Sequence, residues 1–309
     1  ARQHSPLINA RSCITVVELA AVELGGTRCR AATGRAAAGK AGVVAERFEV
    51  LTGNPQPTFA ALVEWLAARG PFAAVAVASF GPLRLDPAAR DYGRLLAESK
   101  PGWRDADVLA PFRSLAQRLV LETDVGAAAL GEQLQRGGHD TLAYVTVGTG
   151  IGGGLAIDDR VHHGQLHPEM GHLRVPHDDS FAGICAAHGD CWEGLASGTA
   201  LAARTGMQAE KLPDGDPAWA TEAELLAQGL LAITAVAMPG TIVLGGGVMQ
   251  RAGLREAVAR RLAELNGGFA PLPEVVAPAL GEDSALSGAL EMAARAMGDS
   301  APHRRTQNR

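Results

Sequence analysis

Twice in this chain a strand-like apolar run ends in a glycine turn from which the chain leaves as another strand: AAVELGGTRCRAATG around Gly25 and AYVTVGTGIGGGLAI around Gly148. A glycine turn that feeds a strand excludes dinucleotide-binding and Walker-type loops, because those run directly into a helix whose N-terminus holds the phosphate. What remains is a tight hairpin whose successive amides converge on an anion without side-chain obstruction. A second pairing accompanies the hairpins. PFAAVAVASFGP and PGTIVLGGGV are each a buried strand running into glycine, one in each half of the chain. Such a repeat predicts two α/β halves, each opened by its own hairpin. Helical periodicity near residues 56–69, 106–117, 125–136, 217–237, 253–266 and 284–297 alternates with the strands.

Two such halves predict the duplicated actin-like, ribonuclease H-like ATPase fold, an α/β architecture of two domains with a ligand cleft between them. Residues 1–123 are expected to form the first domain and 124–283 the second, with the helix at 284–297 returning to the first and 298–309 a disordered tail. The 309 residues are 47% hydrophobic, enough to build a substantial core without disulfides. A net charge of -5 without long blocks of either sign gives no electrostatic footprint for nucleic acid or an anionic membrane, so a small-molecule partner is expected. The run ITVVELAAVEL is broken by Glu18 and Glu23, which excludes a signal segment, and no stretch reaches about 18 uninterrupted apolar residues. The expected compartment is cytoplasmic. In a reducing compartment a close cysteine pair meets a metal more often than a disulfide; Cys13 and Cys29, alone in strand-like runs, are read as packing residues.

The glycine turns suit the β- and γ-phosphates of ATP, with the Thr27 and Thr149 hydroxyls as further donors. Glu23 stands two residues before Gly25, where it either orients Mg²⁺, directly or through water, or is an ordinary strand acid. Arg28 either neutralises phosphate charge or is solvated. In LVLETDVGAAALGE a buried strand ends in Thr123 and Asp124 before a helix begins, and α/β sheets place ligands at that edge. Asp124 is there either the general base for an attacking hydroxyl or a helix N-cap.

From Gly171 the chain reads GHLRVPHDDSFAGICAAHGDCWEG. Cys185, His188 and Cys191 recur every three residues, and His172 closes a tetrahedron around one zinc ion; His162, His163, His167 and His177 compete for that fourth place. Two thiolates and two imidazoles describe a closed structural site, with no open position for catalysis. A rigid zinc loop would hold Glu169 and Glu193 at its two ends, as acceptors for adjacent sugar hydroxyls.

The segments VELGGTR, ASFGP, YGRLLAESKPGW, TDVGAAALGE, VTVGTGIGGG, HPEMGH, CAAHGDCWEGLASG, DPAW and IVLGGGVM occur in the order seen in the ROK family of sugar kinases. Over about residues 20–295 the chain resembles that family, in its bacterial fructokinase branch. The resemblance implies phosphoryl transfer from MgATP to the 6-hydroxyl of fructose, with a kinase for mannose, glucose or an amino sugar as the alternative, and commonly a homodimer. It matches Glu23 with the metal-side acid, and Gly25, Gly26 and Thr27 with the first phosphate turn. Gly148, Thr149 and Gly150 match the second turn, Gly245, Gly246 and Gly247 the turn beside adenosine, and Trp219 an aromatic near the nucleotide. Asp124 matches the base, and Glu169, His172 and Glu193 the sugar-side residues. The chain departs from the family at Arg28, where Lys is usual, at Gly126, where Asn is usual, and at Glu98-Ser99, where Thr-Pro is usual. The family also contains sugar-sensing regulators with a winged-helix segment ahead of the first turn; with 24 residues before Gly25, a kinase rather than such a regulator is expected.

Overall fold

The computed structural model describes residues 18–98, 100–178 and 180–298; Cys13, the start of the ITVVELAAVEL run and positions 299–309 of the expected tail lie outside them. β1 (Leu19–Leu24) and β4 (Ala74–Ser79) are apolar throughout except at Glu23 and Ser79, and they run parallel in the middle of a five-stranded sheet. Continuous apolar strands of this kind form where both sheet faces are covered. β2 (Arg28–Arg35) returns antiparallel from β1 with Cys29 opposite Leu24, so the connecting turn is Gly25–Thr27. β3 (Val43–Leu51) forms one edge and β5 (Arg118–Thr123) the other, giving the order β3-β2-β1-β4-β5.

The second sheet repeats this order. β6 (Leu142–Val147) and β7 (Ile151–Ile157) form the hairpin around Gly148–Gly150, β8 (Arg160–Val161) extends it, and β9 (Thr241–Gly245) and β10 (Glu274–Val276) add parallel strands on the other side. The resulting order, β8-β7-β6-β9-β10, matches the first sheet strand for strand, with β9 the counterpart of β4.

Helices cover both faces of both sheets. α1 (Pro55–Ala67) packs Phe59, Leu62 and Leu66 on the outer face of the first sheet against Val22 and Val77. On its inner face the alanines of β4 leave room for α7 (Ser284–Gly298), whose Leu286, Ala289, Leu290 and Ala293 lie against Ala21, Ala74 and Ala76. α2 (Asp124–Gln135) packs Ala128 and Ala129 on Leu142 and Tyr144 of the second sheet and crosses α7 on its other side. The outer face of that sheet is closed by α3 (Trp192–Ala196), α4 (Gly198–Thr205), α5 (Ala218–Ala237) and α6 (Leu254–Asn266). Each fully buried Leu in these layers contributes about 1.5–3 kcal/mol of apolar burial. Among the described helices only α5 is long and apolar enough to cross a membrane, by length and composition; its Leu225, Leu226, Leu230 and Ile233 are spent in the core instead.

One expected helix does not form. Residues 106–117 hold only a single 3-10 turn at Ala110–Phe112, because the Asp107 carboxylate accepts hydrogen bonds from the amides of Leu109 (3.0 Å) and Ala110 (2.9 Å) and Pro111 has no amide to donate. The short α3 and α4 were not expected, since five and eight residues carry too little period to read.

Candidate active site

The parallel order of β1, β4 and β5, and of β6 and β9, brings the ends of both hairpins to one place. The hydroxyls of Thr27 and Thr149, from turns in opposite halves of the chain, lie 2.8 Å apart. Each turn is held from behind. Thr52 donates its amide to Thr27 O (2.9 Å) and its hydroxyl to Gly25 O (2.7 Å), while Gly198 N donates to Gly148 O (2.7 Å) and the Thr199 hydroxyl to Thr149 O (2.7 Å). A Cβ placed on Gly26, Gly148 or Gly247 meets nothing within 4 Å, so the protein's own packing does not demand glycine there. An open, side-chain-free face is what an anion approaching the amides requires. Gly246 is different: at φ 97° its Cβ would lie 2.3 Å from Val147 O, which seats the third glycine run against the end of β6 beside the second turn.

Three carboxyls at the adjoining strand and loop ends are electrostatically coupled through Asp124. Asp124 is the first residue of α2, directly after β5, and it is not the cap: the Thr123 hydroxyl accepts from Gly126 N (3.0 Å) and fills that role. One Asp124 oxygen accepts from Val125 N (2.9 Å) and its own backbone amide also stabilises the carboxylate, while no side chain bonds to it among the described residues. Burial pushes its carboxyl up to about 6, with the Glu122 charge adding to the shift. Glu23 is raised to about 7, chiefly by burial and partly by Asp124, although Arg30 Nη1 donates to it at 3.2 Å. Glu169 is also raised to about 7, by burial and then by the Glu193 and Asp124 charges. The Asp124 carboxylate therefore lies within electrostatic reach of both Glu23 and Glu169. The segment carrying Glu169 docks on the loop after β4: His167 Nε2 accepts from Leu83 N (3.0 Å), and a Cβ on Gly81 would lie 3.1 Å from Glu169 Oε1.

Glu193 accepts from Ile151 N at 3.0 Å and fills the space above Gly150, where a Cβ would lie 2.4 Å from its Oε2. It thus ties the second turn to the end of the cysteine loop. In that loop His172 Nδ1 lies 3.5 Å from Cys191 Sγ and 3.8 Å from Cys185 Sγ, and His188 Nδ1 lies 3.8 Å from Cys185 Sγ. All four donor atoms fall within 4.8 Å of one another. A tetrahedral zinc ion separates its N and S ligands by about 3.3–3.8 Å, so the donor set fits one. None of the competing histidines joins this donor set: His163 pairs with Glu122 (2.9 Å), His167 with Leu83 N, His177 Nε2 faces Asp190 (3.7 Å), and His162 is outside the cluster.

The model of the ROK family matches residues 19–296. The chain belongs to the ROK family. It is 38% identical over 262 residues to a fructokinase of Zymomonas mobilis, covering 79% of this chain and 87% of that one. It is 34% identical over 289 residues to a fructokinase of Pediococcus pentosaceus, covering 90% and 98%. Among solved structures, a ROK hexokinase from Thermus thermophilus aligns with a TM-score of 0.74 at 27% identity over 91% of this chain and 99% of that one. A ROK glucokinase from Streptomyces griseus, solved with glucose and AMPPNP, aligns with a TM-score of 0.74 at 25% identity over 90% and 99%. The fold is the actin-like ATPase fold of these ROK structures, with its two matched sheets.

In this ROK chain some expected residues sit otherwise than the resemblance implies. Arg28 contacts Glu49 on β3 rather than facing the cleft, and Arg30 also donates to Glu49, at 2.8 Å. Trp219 is a core residue: it is 8% exposed, its indole donates to Pro213 O (2.9 Å) and Arg251 covers one face, so little surface is left for an adenine. The space an Asn side chain would occupy at Gly126 is taken, since a Cβ there meets Glu122 Oε1 and Thr123 Oγ1 at 2.7 Å and Val161 at 3.0 Å. Sequence reading missed Arg30 and the buried Glu122. A charged residue inside the apolar strand RLVLET was the available signal for Glu122, and the i, i+2 spacing of Arg28 and Arg30 on one strand face was the signal for Arg30.

Proposed function

We propose that this ROK protein is an ATP-dependent fructokinase that transfers the γ-phosphoryl group of ATP to the 6-hydroxyl of fructose. The observation that carries the reading is the setting of Asp124, a buried carboxyl bonded only by backbone amides among the described residues and within electrostatic reach of both the acid behind the first glycine turn and the acid of the HPEMGH segment. The identity to two fructokinases over most of each chain supports fructose in particular. In the proposed step the sugar oxygen bonds to the γ-phosphorus, the bond from that phosphorus to the β,γ-bridging oxygen breaks, ADP departs, and the hydroxyl proton passes to Asp124. General-base help of this kind is worth about 10²–10⁴-fold, with positioning and charge neutralisation supplying much of the remainder.

The open faces at Gly26 and Gly148 and the hydroxyls of Thr27 and Thr149 are proposed to receive the β- and γ-phosphates, and the run Gly245–Gly247 to border the adenosine. Glu23 suits Mg²⁺ held through water, an ion that would neutralise phosphate charge. Glu169, His172 and Glu193 are proposed to hold the sugar hydroxyls. Zinc on His172, Cys185, His188 and Cys191 would order the loop that joins these residues. His172 then has a double part: Nδ1 faces the thiols while Nε2 lies 3.9 Å from Glu169 Oε2, towards the proposed sugar side. We also propose that the lobes divide at residues 123/124 and 283/284, that α7 completes the first, and that the enzyme is a dimer of the 31.9 kDa chain, to be read by light scattering.

A coupled ADP-release assay across fructose, mannose, glucose and amino sugars tests the function. Fructose is expected to give the highest kcat/KM. A different leading hexose replaces the substrate, and no turnover with any hexose and MgATP ends the proposal.

A further inference from the structure

The first phosphate turn receives no cation from its own hairpin, since the Arg28 side chain is half exposed and engaged by Glu49. The segment before Trp103, which carries Lys100, is tied to the residues that grip this turn. Thr52 grips the turn through Thr27 O and Gly25 O, at 2.9 and 2.7 Å. The next residue, Gly53, accepts a hydrogen bond from Trp103 Nε1 at 2.9 Å. Trp103 is fully buried, set edge-on to Phe59 and Phe80 with ring centroids 5.2 and 5.1 Å away, so this anchor does not swing. Its amide donates to Lys100 O at 3.1 Å, closing a tight turn over Lys100–Trp103. An unbroken chain of short contacts thus runs from the glycine turn to the backbone carbonyl of Lys100.

The lysine itself is half-buried. Its charge bears on the Cys29 thiol, and Cys29 Sγ lies 3.9 Å from Gly25 O, directly under the turn. Among the described residues its ammonium has no carboxylate within ion-pair distance and no hydrogen-bond partner, whereas Arg28, Arg30 and Arg47 are all paired. A lysine without a protein partner beside this turn is free to meet an anion brought there. The loop that carries Lys100 is ordered by a departure from the family pattern: the Glu98 carboxylate accepts from Gly102 N (2.6 Å) and Arg104 N (3.1 Å).

We propose that Lys100 is the cation of the first phosphate turn, its ammonium contacting the transferable γ-phosphoryl group, and that Glu98 is the positioning residue for the loop that presents it. The inference rests on the kinase reading but not on which sugar is used. As the γ-phosphoryl group leaves ADP its charge spreads over three oxygens, and a fixed ammonium stabilises that charge without any covalent step.

The test compares Lys100→Met, Lys100→Arg and Glu98→Gln with wild type, measuring MgATP and MgADP affinities by calorimetry and steady-state kinetics on fructose. Lys100→Met is expected to weaken MgATP about 10-fold, leave MgADP within about twofold and lower kcat about 100-fold, the size of removing one donor to transition-state charge. Lys100→Arg should recover part of the kcat loss, and Glu98→Gln should show a smaller version of the same split. An unchanged ratio of MgATP to MgADP affinity in Lys100→Met overturns the proposal. So does an equal loss for both nucleotides, which marks a merely structural lysine. Because the affinity ratio needs no sugar, it decides the matter even if wild type phosphorylates no hexose and the functional reading fails.

Discussion

Burial raises the Asp124 carboxyl from its ordinary 3.8 to about 6, and the sign of the consequences follows. A carboxyl whose folded pKa lies above its unfolded value supports the fold only while protonated. That support is full below about pH 4, is lost as pH rises through about 6, and at neutral pH the ionised group costs at most about 3 kcal/mol. Asp124→Asn is therefore expected to raise Tm at pH 8, with the gain vanishing towards pH 4, while kcat falls by about 10³-fold and MgATP affinity stays within about threefold. A Tm unchanged at pH 8, or near-normal kcat, contradicts the assignment. The base must be ionised to act, so kcat/KM of the wild type should fall on the acid side of pH 6–7, the range spanned by Asp124, Glu23 and Glu169. Gly126 makes a second prediction at this scale. Restoring the family's Asn places a Cβ 2.7 Å from both Glu122 Oε1 and Thr123 Oγ1, so Gly126→Asn is expected to destabilise by about 1–3 kcal/mol in urea unfolding rather than improve turnover. The sequence showed a missing side chain; it did not show that Glu122, held by His163 at 2.9 Å, had moved into its place.

At the scale of elements, the hairpins were legible because glycine punctuates them and the residues on either side have strand character on both faces. The helix expected at 106–117 failed because Asp107 and Pro111 divert the backbone by local chemistry that outweighs apolar spacing. The Arg28–Glu49 contact was illegible for a further reason. It joins β2 to β3 across 21 residues, and only the register of the sheet brings the two side chains together. The cysteine loop is the opposite case, since three donors at every third residue leave few geometries except a shared ion. The described residues between 175 and 190 contain almost no regular structure, so a metal would supply much of their order. Elemental analysis should give about one zinc per chain, and Cys191→Ser or a chelator should lower Tm and raise KM for the sugar by at least about 10-fold while KM for MgATP moves less. Equal loss on both substrates would mean that the loop supports the whole fold rather than the sugar side.

At the scale of the molecule, the two sheets meet through two helices, and those helices meet through glycine. A Cβ on Gly288 of α7 would lie 1.8 Å from Ala127 O, and one on Gly131 of α2 would lie 2.5 Å from Ser284 O, so backbone touches backbone at the crossing. The same crossing is tied by Glu132, fully buried, which accepts from Ala279 N (2.9 Å), Leu280 N (2.9 Å) and the Ser284 hydroxyl (2.7 Å) where the chain passes from β10 to α7. α2 carries Asp124 at its N-terminus, and α7 rests on the strand that ends in the first glycine turn. A change in the crossing therefore moves the base relative to the phosphate. Gly288→Ala adds one methyl group that the backbone of α2 cannot evade without sliding, and overpacking of this kind costs about 1–3 kcal/mol or more. The variant is expected to unfold at lower urea and to lose at least about 10-fold in kcat, with nucleotide affinity nearly kept because each glycine turn stays intact within its own sheet. A urea midpoint equal to wild type would mean that the helices stand further apart than the structure has them. A lowered midpoint with full kcat would mean that the crossing carries stability alone and leaves the alignment of Asp124 to the Thr27–Thr149 contact.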